Sequence, residues 1–448
     1  MNYLVAFVSL GCDKNLVDSE NMLGILHQGG YTLTADEMEA DVVVVNTCCF
    51  IEDAKKESID TILEVAHYKQ AGKCKALIVT GCMAQRYKEE ILTEIPEVDA
   101  VIGTTSYDQI VEVANSILKE QGLKTQRFDG IDREIIEEMP RILTTAGYFA
   151  YVKIAEGCDN KCTYCIIPQL RGKYRSRPMD KIKKEVESLA KQGVSEIILV
   201  AQDTTKYGSD LENVTLAKLL HELGEVEGIE WIRVLYCYPE NITDELIAEI
   251  KRNPKVCHYL DMPIQHAADP VLKRMARRTT NASLKEVIGK LRREIPDIAL
   301  RTTLIVGFPG ETEEDFKVLC DFVEEMKFDR LGVFTYSQEE GTAAALLKEQ
   351  LDEEVKQQRK DIIMSLQQTI SEKLTHSKIG QEMKVLIEGK LSEEDVYIGR
   401  TYQDTPEIDG QVFIDFEGEL LSGDFVRVRI TGANDYDLIG EIMDEYSE

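Results

Sequence analysis

Short apolar runs alternate with stretches of helical spacing along the first 120 positions. Residues 4–9, 41–46 and 76–80 are the apolar runs, and 101–103 is a shorter fourth. Residues 16–28, closed by Gly29-Gly30, and residues 54–66 have the spacing of helices. Apolar runs without polar alternation belong to strands covered on both faces. Their alternation with helices predicts a parallel α/β sheet. Residues 121–146 break the rhythm. They hold Asp129-Gly130 and an acidic run from Asp132 to Glu138 ahead of Pro140, the composition of a linker.

The alternation resumes at Gly147 and repeats six times over residues 147–350. Strands are predicted at 148–154, 196–201, 231–236, 259–262, 299–306 and 331–335, with helices near 179–192, 216–225, 244–252, 284–293 and 313–327. Six parallel units fall short of the eight that close a β/α barrel, so an open, partial TIM-like barrel is predicted, with its active site at the carboxyl ends of the strands. The missing units leave a lateral opening wide enough for a macromolecule. A charged helix within residues 351–375 leads onward. From His376 the pattern changes to short alternating strands at 383–388, 396–400, 411–415, 425–431 and 441–443. Five such strands predict an antiparallel OB-like β-barrel over residues 376–448. The fold class is therefore α/β and multidomain: a parallel-sheet domain over residues 1–120, a partial barrel, and a small C-terminal β-barrel.

Charge narrows the partners. The formal net charge is −29, and residues 376–448 hold 18 acidic against 6 basic side chains, a net of −12. Nucleic-acid binding draws on Lys and Arg neutralising phosphates, so this chain is a poor generic RNA binder and a good docking surface for a basic protein. Solubility alone is the plainer reading of the same charge. No apolar run reaches transmembrane length, and the opening Met1-Asn-Tyr-Leu-Val-Ala-Phe-Val lacks a basic leader and has the pattern of a strand. A cytoplasmic protein is expected, without membrane association. Eleven cysteines in a reducing compartment argue for cofactor ligation over disulfides.

Two sets of three cysteines carry the chemistry. Cys158, Cys162 and Cys165 are spaced C-x3-C-x2-C in the loop after the first barrel strand. Short spacings let one loop reach several irons of a four-iron cluster, and three thiolates leave one iron open to a substrate or cofactor. Zinc, the competing reading along with a disulfide, takes four protein ligands in closed sites and pairs its cysteines as C-x2-C. Cys12, Cys48 and Cys82 follow three successive N-terminal strands. Ligands of parallel sheets sit beyond the carboxyl ends of strands, so these three converge in space as a second three-thiolate site. A single such cysteine is most often a small buried residue. Cys49 adjoins Cys48 and makes that ligand ambiguous. Cys74, Cys237, Cys257 and Cys320 have no matching partners and are expected to be structural.

The C-x3-C-x2-C spacing resembles the signature of the radical S-adenosylmethionine superfamily. Ser9-Leu-Gly-Cys-Asp-Lys-Asn-Leu-Val-Asp-Ser-Glu20, Val45-Asn-Thr-Cys48 and Thr80-Gly-Cys-Met-Ala-Gln-Arg-Tyr87 resemble the N-terminal domain of the methylthiotransferase family. The C-terminal strands resemble a TRAM domain, so the resemblance covers nearly the whole chain. Lys14 to Glu20 resembles the branch that methylthiolates an aspartate of small-subunit ribosomal protein twelve. The branch that modifies adenosine in tRNA reads closer to Gln-Met-Asn after the cysteine. The resemblance implies two 4Fe-4S clusters, one held by Cys12, Cys48 and Cys82 and the other by Cys158, Cys162 and Cys165. It assigns the second ligand to Cys48 rather than Cys49. It also implies S-adenosylmethionine as methyl donor and radical source, and a reductant such as flavodoxin or ferredoxin. The acidic C-terminal barrel agrees with a basic protein substrate and weighs against tRNA.

Polar residues at strand ends are candidates for S-adenosylmethionine contacts. Tyr164 matches the superfamily's aromatic near the adenine, and Gln202 and Asp203 match the region that meets the amino group. Tyr236-Cys-Tyr-Pro239 follows the third strand. His266, after Gln265, follows the fourth; a lone histidine is more often structural. Arg301 starts the fifth strand and could pair with a carboxylate. Gly307 and Gly310, in Gly-Phe-Pro-Gly-Glu-Thr312, permit close backbone approach to an adenosyl group. The same segment also fits a strand-to-helix turn in which Thr312 caps the next helix.

Overall fold

The computed structural model describes residues 3–391 and 395–443. Among these residues, six parallel strands form an N-terminal sheet in the order Thr32–Leu33, Leu4–Ser9, Val42–Thr47, Ala76–Gly81, Ala100–Ile102, Thr125–Arg127. Every residue of Val42–Thr47 and Ala76–Gly81 is buried. Val43, Val45, Leu77 and Val79 pack into one apolar layer, and Val42, Val44, Ala76 and Ile78 into another. That is the two-residue alternation of a sheet covered on both faces. The strand pattern expected from Met1 starts at Leu4; Met1 and Asn2 lie outside the described residues.

Two strands depart from the expectation. Thr125–Arg127 lies in the stretch assigned to a linker, and it pairs with Ala100–Ile102 at the sheet edge. Thr32–Leu33 forms the opposite edge. Both are short, and Thr-Gln-Arg has no apolar run, so neither leaves a hydrophobic signal. The N-terminal sheet thus extends past residue 120.

The second sheet is also wholly parallel. It runs Arg330–Thr335, Ala299–Val306, Val256–Asp261, Trp231–Val234, Glu196–Val200, Phe149–Lys153. The six expected units are present, and the arc stays open. Four of its helices, Leu216–Gly224, Asp244–Arg252, Asn281–Glu294 and Glu313–Met326, begin on threonine caps. Thr312 Oγ1 accepts from the Asp315 amide at 3.1 Å and the Asp315 carboxylate accepts from the Thr312 amide at 3.1 Å, a reciprocal cap that satisfies two exposed donors.

The open arc is not an empty trough. Phe149, Tyr151, Trp231 and Tyr259 on its inner face form one cluster with Val17 from the helix Asp13–Gln28 and Leu386 from the C-terminal barrel. That barrel is closed, in the order Glu382–Lys390, Val396–Thr401, Val412–Asp415, Leu438–Ile442, Phe425–Ala433. Its last strand begins three residues before the expected 441–443. Charged pairs fasten it to the arc. Glu196 lies between Arg233, at 2.9 Å, and Arg400, and Arg330 pairs with Asp404.

Candidate active site

The N-terminal trio depends on turns that only glycine permits. Gly11, just before Cys12, has φ +93°, and a Cβ there would stand 2.9 Å from the Cys48 Cβ and 3.2 Å from its Sγ. Gly81, before Cys82, has φ +93°, and its Cβ would meet Asn46 Oδ1 at 2.3 Å. Side-chain amides tie these turns together. Asn15 Nδ2 donates to the Leu10 carbonyl at 3.1 Å and the Thr47 carbonyl at 3.0 Å. Asn46 Nδ2 donates to the Asn15 carbonyl and to Ser19 Oγ, both at 2.9 Å. The Ser58 hydroxyl donates to the Cys48 carbonyl at 2.9 Å and accepts from the Cys48 amide at 3.0 Å.

The three thiols share one environment. Burial, then the neighbouring Cys82 and Cys12, pushes the Cys48 thiol up to about 12. All are free of disulfides. Cys49 is fully buried with Val43, Val45 and Leu77 in a core cluster that also holds Cys82, and Cys82 acts on its thiol as well. Cys48 has both Cys82 and Cys12 acting on its thiol.

The second trio sits in one loop. Gly157 has φ +81°, and a Cβ there would strike the Lys173 carbonyl at 2.1 Å. The Cys158 amide donates to the Gly172 carbonyl and the Cys165 amide to the Cys162 carbonyl, both at 3.0 Å. Thr163 anchors the loop's centre to Met275 and Arg274 carbonyls at 3.1 and 2.8 Å. Burial pushes the Cys158 thiol up to about 11, and it drives Cys165 up as well. These thiols hold their protons until a cation such as iron takes the proton's place.

Arg171 joins the two trios. It ends the short helix Ile167–Arg171 that follows the C-x3-C-x2-C loop. Its Nη2 donates to Asn15 Oδ1 and lies 3.6 Å from Cys82 Sγ. Its Nη1 donates to Asp18 Oδ2 at 2.7 Å and to Glu156 Oε2 at 3.4 Å. Lys153 donates to the same two carboxylates. Two cations and two carboxylates thus form a balanced buried group between the domains, and Gln202 Nε2 donates to Glu156 at 2.8 Å. Burial pushes the Cys82 thiol up, while the Arg171 guanidinium opposes the shift.

The structure gathers some of the other expected residues and scatters the rest. Asp203 is fully buried and accepts from Asn160 of the cysteine loop at 3.0 Å and from Thr205 at 2.9 Å. Tyr164 borders the cluster of Phe308 and Tyr336. His266 is fully buried. Its Nδ1 accepts from the Ala268 amide at 3.0 Å, and its Nε2, without a hydrogen-bond partner, stands 3.6 Å from Glu311. Arg301 pairs with Asp261 at 2.8 Å and with Asp409 of the C-terminal barrel at 3.3 Å, which places its charge at a domain junction. The missing Cβ positions of Gly307 and Gly310 face Lys356 and Glu349, so these glycines make room for the segment that enters the connecting helix. Arg171, Lys153 and Glu156 were not singled out by the sequence; Tyr238, whose hydroxyl lies 3.9 Å from Cys162 Sγ, belongs to the Tyr236-Cys-Tyr-Pro239 segment and Asp18 to the Lys14 to Glu20 segment, with no contact expected of either. Their contacts link positions too far apart for any periodic signal.

The donor sets fit iron–sulfur clusters. Each offers three free cysteine thiols, with the small backbone turns that thiolate ligation requires. Among the described residues neither trio is gathered around a single ion-sized point; ligands of a four-iron cube occupy separate corners.

A parallel sheet with three thiols at its strand ends, docked on an open six-unit barrel with a C-x3-C-x2-C loop, defines a two-site enzyme of the radical S-adenosylmethionine class. Residues 152–323 match the Radical SAM superfamily, residues 4–103 the Uncharacterized protein family UPF0004, and residues 379–443 the TRAM domain. The fold resembles the radical S-adenosylmethionine methyltransferase TsrM from Kitasatospora setae, with a TM-score of 0.53 and 14% identity over 75% of each chain. The chain is 57% identical over 437 residues to the ribosomal protein uS12 methylthiotransferase RimO of Lachnoclostridium phytofermentans, covering 97% of this chain and 99% of that one. It is 54% identical over 444 residues to the RimO of Clostridioides difficile, covering 98% and 99%. The chain belongs to the RimO family of methylthiotransferases.

Proposed function

We propose that this protein methylthiolates the β-carbon of an aspartate in ribosomal protein uS12. The observation that carries this is the joining of two three-thiol sites by one buried charged group at a domain interface. Cys12, Cys48 and Cys82 would hold one 4Fe-4S cluster and Cys158, Cys162 and Cys165 the other, each with one iron left open. When bound, these clusters and S-adenosylmethionine supply the methyl transfer, the hydrogen-abstracting radical and the sulfur.

The protein positions and shields. Lys153 and Arg171 clamp Asp18 to Glu156, so the cysteine loop cannot shift against the N-terminal turns. Asn160 and Asp203 fix the loop's outer side. The inner-face aromatics and Val17 keep water out beneath it. The acidic C-terminal barrel attracts the basic ribosomal protein and repels tRNA phosphate. A reductant such as flavodoxin or ferredoxin delivers the electrons. Among the described residues no helix is long and apolar enough to cross a membrane, and a ribosomal substrate places the work in the cytoplasm.

The test is anaerobic reconstitution with iron, sulfide, S-adenosylmethionine and reductant, offering the aspartate-containing uS12 peptide and isopentenylated tRNA in parallel. Mass spectrometry is expected to find one methylthio group added to the peptide. Addition to tRNA alone overturns the reading.

A further inference from the structure

The two trios are joined a second time, by the segment that follows the barrel strand Arg330–Thr335. One part of this segment holds the cysteine loop. The Gly341 carbonyl accepts from Gln169 Nε2 at 2.9 Å, and the Ala344 amide donates to the carbonyl of Thr163, between Cys162 and Cys165, at 2.8 Å. Another part reaches the N-terminal domain. Ser337 Oγ accepts from the Glu52 amide at 3.3 Å, where the helix Glu52–Ala71 starts after Cys48 and Cys49. The Glu340 carbonyl accepts from Arg86 Nη2 at 2.8 Å, and its carboxylate accepts from the Tyr87 hydroxyl at 2.8 Å.

Glu339 is the centre of this contact. Its side chain is 2% exposed. Oε2 lies 2.9 Å from Arg86 Nη1 and 3.1 Å from Lys55 Nζ, and Oε1 accepts from Ser337 Oγ at 2.8 Å. The Thr342 hydroxyl closes the turn, donating to the Glu339 carbonyl at 2.6 Å. Its partners lead back to the thiols. Arg86 stands near the end of the helix Cys82–Tyr87, which Cys82 opens, and its Nη1 also donates to the Cys49 carbonyl at 3.2 Å. Lys55 lies in the first turn of the helix that follows the Cys48 turn. One buried carboxylate of the barrel thus grips two of the three strand ends that carry the dispersed trio.

An apolar contact would hold two domains together as well, since a buried ionic group gives little net stability over a hydrophobic one. Charge adds direction. The planar guanidinium of Arg86 has a fixed fork, and it spans Glu339, the Glu340 carbonyl and the Cys49 carbonyl at once. Direction matters where two sites must act on one substrate, because a misplacement of about 1 Å costs about a hundredfold in rate.

We propose that Glu339 is a positioning residue that sets the separation of the two cysteine trios. It touches no thiol and acts through Arg86 and Lys55. The inference rests on the proposed reaction, in which cleavage of S-adenosylmethionine at one trio is useful only while the other stands in register. Losing Glu339 uncouples the two sites and leaves each one formed.

The test uses the full chain with Glu339→Gln, Arg86→Gln, the double variant and Glu339→Asp. The first readout is hydrogen exchange in the apo protein, which needs no cofactor. Losing a charged hydrogen bond changes a local opening equilibrium about ten- to a hundredfold. In Glu339→Gln, amides of residues 48–55 and 82–88 are expected to exchange faster by that factor, with residues 158–165 within twofold of wild type. The second readout, after reconstitution, is the number of methylthio groups added to the uS12 peptide per S-adenosylmethionine cleaved. That ratio is expected to fall at least tenfold, with the cleavage rate itself within twofold of wild type. The double variant is expected to be no worse than the worse single one, because both remove the same contact. Glu339→Asp keeps the charge on a shorter arm. It is expected to fall between wild type and Glu339→Gln in both readouts, and it carries the test if Glu339→Gln does not fold.

Three results overturn the proposal. The first is exchange at both segments within twofold of wild type. The second is an unchanged ratio of methylthio groups to cleavage. The third is a cleavage rate that falls as far as methylthio transfer does, which makes Glu339 a general support of the fold. If the wild-type protein modifies neither peptide nor tRNA, the proposed function fails, and the exchange experiment alone decides on Glu339.

Discussion

The two cysteine trios are built on opposite construction plans. Cys158, Cys162 and Cys165 lie within eight consecutive residues, and the loop's own backbone bonds shape it. Cys12, Cys48 and Cys82 come from three strand ends, held by Asn15, Asn46 and Ser58 and by glycines at two of the turns. The loop trio needs only its turn to be correct. The dispersed trio needs the sheet, the amide scaffold and the docked barrel that brings Arg171 to Cys82. Damage to the loop should therefore stay local, whereas damage to the interface should reach the dispersed trio first.

The largest expected effect tests that locality. Cys162→Ser removes a ligand of the loop trio without touching the sheet. Reductive cleavage of S-adenosylmethionine should fall to background, while Cys12, Cys48 and Cys82 still bind about half of the wild-type iron, as two equal clusters require. Iron analysis and the cluster's absorption spectrum measure both. Loss of all iron would mean that the two sites assemble as one unit.

The second prediction separates two adjacent thiols. Cys48→Ser should empty the dispersed trio and abolish methylthio transfer, with S-adenosylmethionine cleavage at the loop site retained. Cys49→Ser exchanges one small side chain for another in a packed core and should keep both iron sites. Its cost is the burial of one hydroxyl, about 1–3 kcal/mol. The reverse pattern would assign the ligand to Cys49.

This asymmetry also governs what the sequence could show. A ligand spacing inside one loop is written in consecutive letters, and Thr312 as a helix cap is equally local. The dispersed trio was legible at one remove, because apolar runs fix the strands and strand ends fix where three cysteines meet. Arg171 was not legible. It is 89 positions from Cys82 and 153 from Asp18, and nothing in Gln-Leu-Arg-Gly announces a partner. Arg301 was legible in part: a carboxylate partner was expected for it, and it has two, Asp261 on the neighbouring strand and Asp409, 108 positions away in the C-terminal barrel, which no local pattern names.

A third prediction attacks the joint itself. Arg171→Met leaves Asp18 and Glu156 buried with Lys153 as their remaining cation, and strips Cys82 of its guanidinium neighbour. Removing one member of a buried ionic group costs about 3–5 kcal/mol. Melting should fall accordingly, and iron should be lost from the dispersed trio before the loop trio. Equal loss from both would show that Arg171 supports the loop as much as it supports Cys82.

The smallest effect on either trio is expected at the other domain junction, where the C-terminal barrel meets the arc. Burial alone would push the Glu196 carboxyl up, but the guanidiniums of Arg400 and Arg233 overcome this and hold it below its ordinary 4.5. A carboxyl depressed by folding stabilises the folded form above the ordinary value, and that stabilisation is lost as pH falls through the depressed one. Glu196 should therefore contribute fully from pH 8 down to about 5. Below pH 4.5 its contribution should shrink. Glu196→Gln leaves Arg233 short of a charge partner and Arg400 with only Glu388, so the apo variant should melt below wild type at neutral pH. That gap should narrow in acid, because protonated Glu196 resembles glutamine. At neutral pH both iron sites should fill normally in the variant, since neither trio contacts this junction. Iron loss from the dispersed trio in Glu196→Gln would mean that the C-terminal barrel helps to hold the arc in the curvature that Arg171 needs to reach Cys82. The two junctions would then act as one.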